Sequence, residues 1–299
     1  MGRFLSRLAL FALPIALYVV GIISIDPFDR FGVSSVIAPE AKAIAAPAAN
    51  AALWTVIKLD RTQLPNILLG DSKMGHLDVH EIERVSGLEF ANLAMDGSSA
   101  SDQIDLFWRA AKRLPLREVV FGVNLETFNR TMNRNLIKAA EAVGENPLLY
   151  FASRDVVKAS LQLVKAKAAH RLPERPRPPM SKEAFWQYEV TYGARRNLQG
   201  FQFDEEVWAE FTRIAAYCRS HGIRLRFVLL PTHADIHAQI KAFGLEQPWR
   251  ALPVRLAGLA ETTDFDTENE ITSNRSLFDD PFHMDAATAR LVVDRLFAK

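Results

Sequence analysis

Pro65-Asn66-Ile67-Leu68-Leu69-Gly70-Asp71-Ser72 is the stretch that decides the fold. A short apolar run bounded by Pro65 and Gly70 has the form of a strand buried on both faces, as parallel sheets require. The pattern that follows, Lys73 to Val85 stopped by Gly87, predicts a helix. Ser72 therefore stands where a strand passes into a helix, at the carboxyl end of a sheet, the usual place for ligands in open α/β folds. A serine hydroxyl is a poor nucleophile unless an imidazole takes its proton and a carboxylate holds that imidazole in the useful tautomer. Asp280-Pro281-Phe282-His283, near the other end of the chain, supplies both groups. The plainer alternatives are Asp71-Ser72 as a helix N-cap and His283 as a surface histidine beside the next cap, Asp285.

Further strands and helices alternate along the chain. Leu88 to Leu93 and Glu118 to Val123 read as strands two and three, with a helix over Asp102 to Arg113 between them. Asp204 to His221 is the clearest helix: Asp204 can cap it, Val207, Trp208, Phe211, Ile214, Ala215 and Cys218 form one stripe, and Gly222 ends it. Arg224 to Pro231 is strand four and Thr262 to Asp266 strand five, and a last helix turns Leu291, Val292 and Leu296 inward. This alternation implies a parallel sheet covered on both faces. The single cysteine, Cys218, excludes an internal disulfide and reads as core packing.

Two more motifs stand at strand ends. Asn92 to Ser98 contains Gly97 after strand two, and Gly122-Val123-Asn124 closes strand three. Gly-Asp-Ser, a glycine after the second strand, Gly-x-Asn after the third and Asp-x-x-His at the end, in that order, resemble the SGNH (GDSL-type) hydrolase superfamily over roughly Asn66 to the C-terminus. The resemblance implies a three-layer α/β/α sandwich with a mainly parallel, flavodoxin-like five-stranded sheet. It implies Ser72 as nucleophile, His283 as base and Asp280 as its orienting partner. The oxyanion hole would be formed by the N–H groups of Ser72 and Gly97 and the Asn124 side chain. It implies no metal and no cofactor. The sequence departs from the pattern at Leu125, where such families often carry Asp.

Leu8 to Ile25 holds no charged residue and as a helix would span about 27 Å, close to a bilayer's hydrocarbon thickness. Arg3 and Arg7 precede it while Asp26 and Asp29 follow, which predicts a single-pass anchor in the cytoplasmic membrane with the catalytic domain outside, periplasmic or otherwise extracytoplasmic. A cleaved signal peptide and a buried core helix are the alternatives weighed. The 299 residues thus divide into an anchor (1–30), an Ala/Pro-rich juxtamembrane spacer (31–60) and an SGNH-like domain (61–299). An insertion over about 130–200, including the run Arg171 to Pro179, is expected to lean over the site, the alternative being a solvated basic face with a stiff polyproline-like connector. A formal net charge of +1 gives no reason to expect nucleic acid.

His76 and His80, four apart on the expected helix, read as a solvated face rather than a metal site, and His233 as a residue of the site's rim. An anchored, outward-facing domain of this kind resembles members that attach or remove acyl groups on exopolysaccharide or cell-wall glycans. The expected substrate is a polysaccharide or glycan ester, and the expected partners are the membrane and a membrane-embedded acyl-exporting protein. The alternative is a non-catalytic, membrane-tethered glycan-binding or assembly protein that retains the fold.

Overall fold

The computed structural model describes residues 2–33, 36–174 and 179–298. They fall into two compact units, one of residues 62–135 with 178–299 and one of residues 1–61 with 136–177. Residues 175–178 of the expected proline-arginine run lie outside the described residues.

The first unit is built on five parallel strands, β1 (Asn66–Leu69), β2 (Ala91–Asn92), β3 (Glu118–Gly122), β4 (Arg224–Leu229) and β5 (Glu261–Asp264), in the order β2-β1-β3-β4-β5. That is the flavodoxin-like order, with the reversal of direction beside β1. Alternate residues go to opposite faces. Leu68, Val120 and Val228 pack with Ile82, Val292 and Leu296 on one side. On the other, Phe121 meets Phe107, Phe211 and Phe227 at ring separations of 6.0, 5.2 and 6.1 Å. Helices thus cover both faces of the sheet, because the inner strands β1 and β3 are buried in both directions.

Several expected boundaries shift. The helix foreseen over Lys73 to Val85 is two, Ser72–Gly75 and Val79–Ser86, because Asp78 caps the second by accepting from the His80 N–H at 2.9 Å. His76 and His80 consequently do not share a helix face. In the last helix, Ala286–Phe297, Val292, Val293, Leu296 and Phe297 are buried, whereas Leu291 is 46% exposed. The inward stripe is therefore rotated by one residue from the one expected.

The second unit is helical. The helix Pro39–Arg61, kinked at Asn50, packs against Ile137–Glu145 and Arg154–Ala168, and Ala41, Ala45 and Leu163 form one apolar cluster with Ile37. Of the expected insertion, the two ends, residues 130–135 and those from 179 on, belong to the sheet-bearing unit. The part between them carries Val156, Ala159 and Leu163 on one face, and that stripe is buried by the helix that sequence reading made a spacer.

The apolar run Leu8 to Ile25 lies in a helix, Gly2–Ile25. Among the described residues no helix is long and apolar enough to cross a membrane, so the expected spanning helix is not found. The end of this helix serves packing within its own unit: Ile22 is buried, as are Asp26 and Phe28 immediately beyond it.

Candidate active site

β1 ends at Leu69, and the next residues turn sharply over the sheet. A Cβ on Gly70 would lie 2.7 Å from Met74 Cβ and 3.1 Å from the Gly122 carbonyl, so only glycine allows the chain to pass there. Asp71 then caps the one-turn helix Ser72–Gly75 by accepting from the Lys73 N–H at 2.9 Å. The capping alternative is thus fulfilled by Asp71, and Ser72, the first residue of the turn, is left to present its hydroxyl. Its own N–H is one of those a helix start leaves unpaired.

The partner histidine arrives on a two-stranded antiparallel ribbon, Phe278–Asp280 with His283–Met284. Phe278 and Met284 are buried in the core on the sheet face that holds Ile82, Val292 and Leu296, and Phe282 in a second apolar cluster with Leu125, Ala194 and Ile236. Both ends of the ribbon are therefore pinned. Asp280 Oδ1 accepts from the backbone N–H groups of Phe282 at 2.9 Å and His283 at 3.1 Å, which fixes the carboxylate relative to the imidazole.

Across 211 residues of sequence, Ser72 Oγ lies 2.7 Å from His283 Nε2. His283 Nδ1 lies 2.9 and 2.8 Å from the two Asp280 carboxylate oxygens. Burial alone would raise the Asp280 carboxyl, but the hydrogen bond and charge of His283 and the two backbone N–H groups hold it below the usual carboxylate range. An ionised Asp280 can only accept, so the neutral imidazole carries its proton on Nδ1 and turns the Nε2 lone pair to the serine hydroxyl. That is the tautomer a general base requires. The three residues expected as a triad are thereby within hydrogen-bonding reach in the right sequence of contacts.

The expected oxyanion groups gather at the same place. Ser72, Gly97, Asn124, Asp280 and His283 all line one cavity of about 630 Å³ in the sheet-bearing unit. Gly97 has φ +66° in the turn closed by the Ser98 N–H on the Met95 carbonyl, a conformation that favours glycine. Among the described residues no acceptor engages the N–H of Ser72 or of Gly97. The Asn124 amide donates one hydrogen to Asp71 Oδ2 at 3.0 Å, and its oxygen caps the 3-10 turn Leu125–Phe128 by accepting from the Thr127 N–H at 3.1 Å. A primary amide has a second hydrogen to offer. Leu125, the departure from the expected motif, is buried in the cluster that holds Phe282. We predict that Asn124→Ala lowers kcat by about a hundredfold or more while KM changes little, the scale for one oxyanion donor. An unchanged kcat with a raised KM, measured by steady-state ester cleavage, would make Asn124 a substrate contact.

The structure adds groups that sequence reading passed over. Lys73 is buried directly beside the nucleophile, with Nζ 3.1 Å from Asp71 Oδ2 and 3.8 Å from Glu126 Oε1. Burial alone would lower its pKa, but Asp71 and Glu126 outweigh that and raise it. Asp71 is drawn down, the attraction of Lys73 overcoming burial, whereas burial leaves Glu126 raised despite Lys73. One cation thus serves two carboxylates, and one of these holds Asn124. The only signal in the sequence was a lysine next to the candidate serine.

The His76 ring stacks on the His283 ring at 5.3 Å and 19°, and burial followed by the charge of His283 lowers the His76 pKa. His233, expected on the rim, caps the helix Ala234–Ala242 and packs against Trp186 and Phe278 instead of lining the cavity. Among the described residues no group of three or more His, Cys, Asp or Glu is arranged to hold a metal ion.

Comparison with solved structures gives distant likenesses. A candidate acylhydrolase from Bacteroides fragilis shares 9% identity at a TM-score of 0.45, over 83% of this chain and 96% of that one. A GDSL-like lipase from Bacteroides thetaiotaomicron shares 9% at 0.43, over 83% and 97%. A candidate lipolytic protein of the G-D-S-L family from Desulfitobacterium hafniense shares 11% at 0.39, over 77% and 96%. No family model and no curated protein matches the chain. Likenesses this remote carry no chemistry, which has to be read from the cavity itself.

Proposed function

We propose that the chain is a serine enzyme of SGNH type that cleaves or transfers O-acyl groups through an acyl-serine intermediate. The observation that carries this reading is the unbroken line of contacts from Ser72 Oγ to His283 Nε2 and from His283 Nδ1 to Asp280. In that geometry the Ser72 proton passes to Nε2 as Oγ bonds to the ester carbonyl carbon. The carbonyl electrons move onto oxygen beside the N–H groups of Ser72 and Gly97 and the Asn124 amide. On collapse the alkoxy oxygen leaves with the proton that His283 returns to it. Water or an acceptor hydroxyl then repeats the steps in reverse and frees Ser72. Covalent labelling by a fluorophosphonate tests the reading: the intact chain takes up the label at Ser72, and failure to label would support the non-catalytic alternative.

The finer reading is chemistry on esters of an extracytoplasmic polysaccharide or cell-wall glycan by a protein held at the cytoplasmic membrane, with an acyl-exporting membrane protein as donor. In support, the helix Gly2–Ile25 leaves Leu10, Phe11, Leu13, Ile15, Leu17 and Val20 exposed, apolar surface of the kind that binds lipid. A cavity of about 630 Å³ is roomy enough for a sugar unit. One experiment addresses both points, using full-length chain with a C-terminal reporter, isolated with membranes and supplied with an activated acyl donor and oligosaccharides. Transfer is expected, with the protein in the membrane pellet and the reporter outside the cytoplasm. Acceptors that never gain acyl groups while pre-acylated ones lose them would make the protein an esterase. A chain recovered wholly in the supernatant would remove the anchor.

A further inference from the structure

Among the described residues the cavity around Ser72 is lined by four carboxylates and three lysine or arginine cations, yet two of those cations have no carboxylate partner at close range. Asp71 and Glu126 are held by Lys73, and Asp280 by His283. Arg134 and Arg196 line the same cavity from two separate segments, yet among the described residues no carboxylate lies within 4.0 Å of either guanidinium. Neither is idle. Arg134 Nη2 donates to the Gly97 carbonyl at 2.9 Å, and Arg196 Nε donates to Asn197 Oδ1 at 3.3 Å. Each contact uses one N–H of five and orients the guanidinium, leaving the other donors of the fork for a ligand. The Arg134 guanidinium is so close over Gly97 that a Cβ there would be 3.1 Å from Nη2, which places the charge beside a proposed oxyanion donor.

We propose that Arg134 and Arg196 form a carboxylate-binding subsite, so that the ester this enzyme acts on carries an acidic group near the scissile bond. The proposal rests on the serine-enzyme reading of the same cavity. Guanidinium forks match carboxylates in planar, two-bond geometry, and charge-assisted pairs are the strong ones. Among the described residues Glu189 is the one carboxylate on the cavity wall without a Lys, Arg or His side chain within 4.0 Å. Burial raises its pKa, with the charge of Arg196 opposing, and neither guanidinium lies within 4.0 Å of it. The acidic group has two sources, the acyl part, as in a dicarboxylic half-ester, or the alcohol part, as in an acylated uronic acid. The recognising chemistry is the same for both.

The test compares matched esters on the full chain: 4-nitrophenyl hydrogen succinate against its methyl ester, and acetylated glucuronic acid against acetylated glucose. The readout is the ratio of kcat/KM for the acidic to the neutral member, which a general loss of activity does not move. Arg134→Gln and Arg196→Gln are each expected to lower that ratio about tenfold to a hundredfold, for the pair whose acidic part is recognised. Ratios unchanged for both pairs would overturn the subsite while leaving the serine enzyme intact. Calorimetric titration of Ser72→Ala protein with glucuronate and with succinate decides the matter without turnover. Binding that weakens on substitution of either arginine supports the subsite even in a chain that cleaves nothing, and absence of binding to both counts against it.

Discussion

Ser72→Ala and His283→Ala are each expected to lower kcat for ester cleavage by about 10⁶-fold, because residues that act as one unit lose nearly everything when either is removed. Asp280→Asn should cost about 10⁴-fold, since the imidazole would keep its place but lose the tautomer that the carboxylate enforces. The structure explains why the folded state should survive. Ser72 is the first residue of a turn already capped by Asp71, and the ribbon carrying His283 is held by Phe278, Phe282 and Met284 in the core. Stopped-flow or steady-state assays with an aryl ester, read beside circular dichroism, measure both properties. Robust fluorophosphonate labelling of Ser72→Ala protein at another serine would refute the assignment.

The second large effect is on stability. Lys73→Met removes the cation shared by Asp71 and Glu126 while leaving both carboxylates largely enclosed, with side-chain exposures of 19% and 16%. Breaking a buried pair from one side costs about 3–5 kcal/mol, because the remaining charge has no compensation. The sign of the pH dependence follows from the two carboxyls. Asp71 is held below its ordinary value, so its contribution is fully present above the unfolded value of about 3.9 and is lost as pH falls through the lower folded value. Glu126 is raised, so its ionisation costs stability as pH climbs past about 4.3, and costs more once Lys73 is gone. The deficit of Lys73→Met should therefore be full at neutral pH and narrow in acid, as both carboxyls take up protons. Urea unfolding at several pH values measures it. A deficit that does not vary with pH would assign Lys73 a packing role, through its aliphatic stem and the Phe282 ring. Lys73→Arg should restore part of the stability but place the charge differently beside Asn124.

Local sequence determined much of this molecule. Ile67-Leu68-Leu69 and Val119-Val120-Phe121 are apolar in both directions, and such runs gain most when covered on both faces, so a parallel sheet could be read before any coordinates. Asp204 as a cap and Gly222 with φ +66° were legible because caps and glycine stops depend on a few neighbouring residues. Ser72, Asp280 and His283 were named because Gly-Asp-Ser, Gly, Gly-x-Asn and Asp-x-x-His in that order resemble the SGNH pattern, whereas the contact between Ser72 and His283, 211 residues apart, belongs to the fold. What neighbours in sequence cannot fix is the partner across a long loop. The stripe Val156, Ala159 and Leu163 needed an apolar face but did not say which, and only the fold shows it covered by the helix Pro39–Arg61. The run Leu8 to Ile25 poses the same problem in reverse: an apolar helix reads alike whether lipid or protein covers it, and Ile22 is covered by protein. Lys73, Glu126, Arg134 and Arg196 were silent for a further reason. A charged side chain has no periodic signature, and whether it is paired, buried or left facing a cavity depends on segments that only tertiary structure brings together.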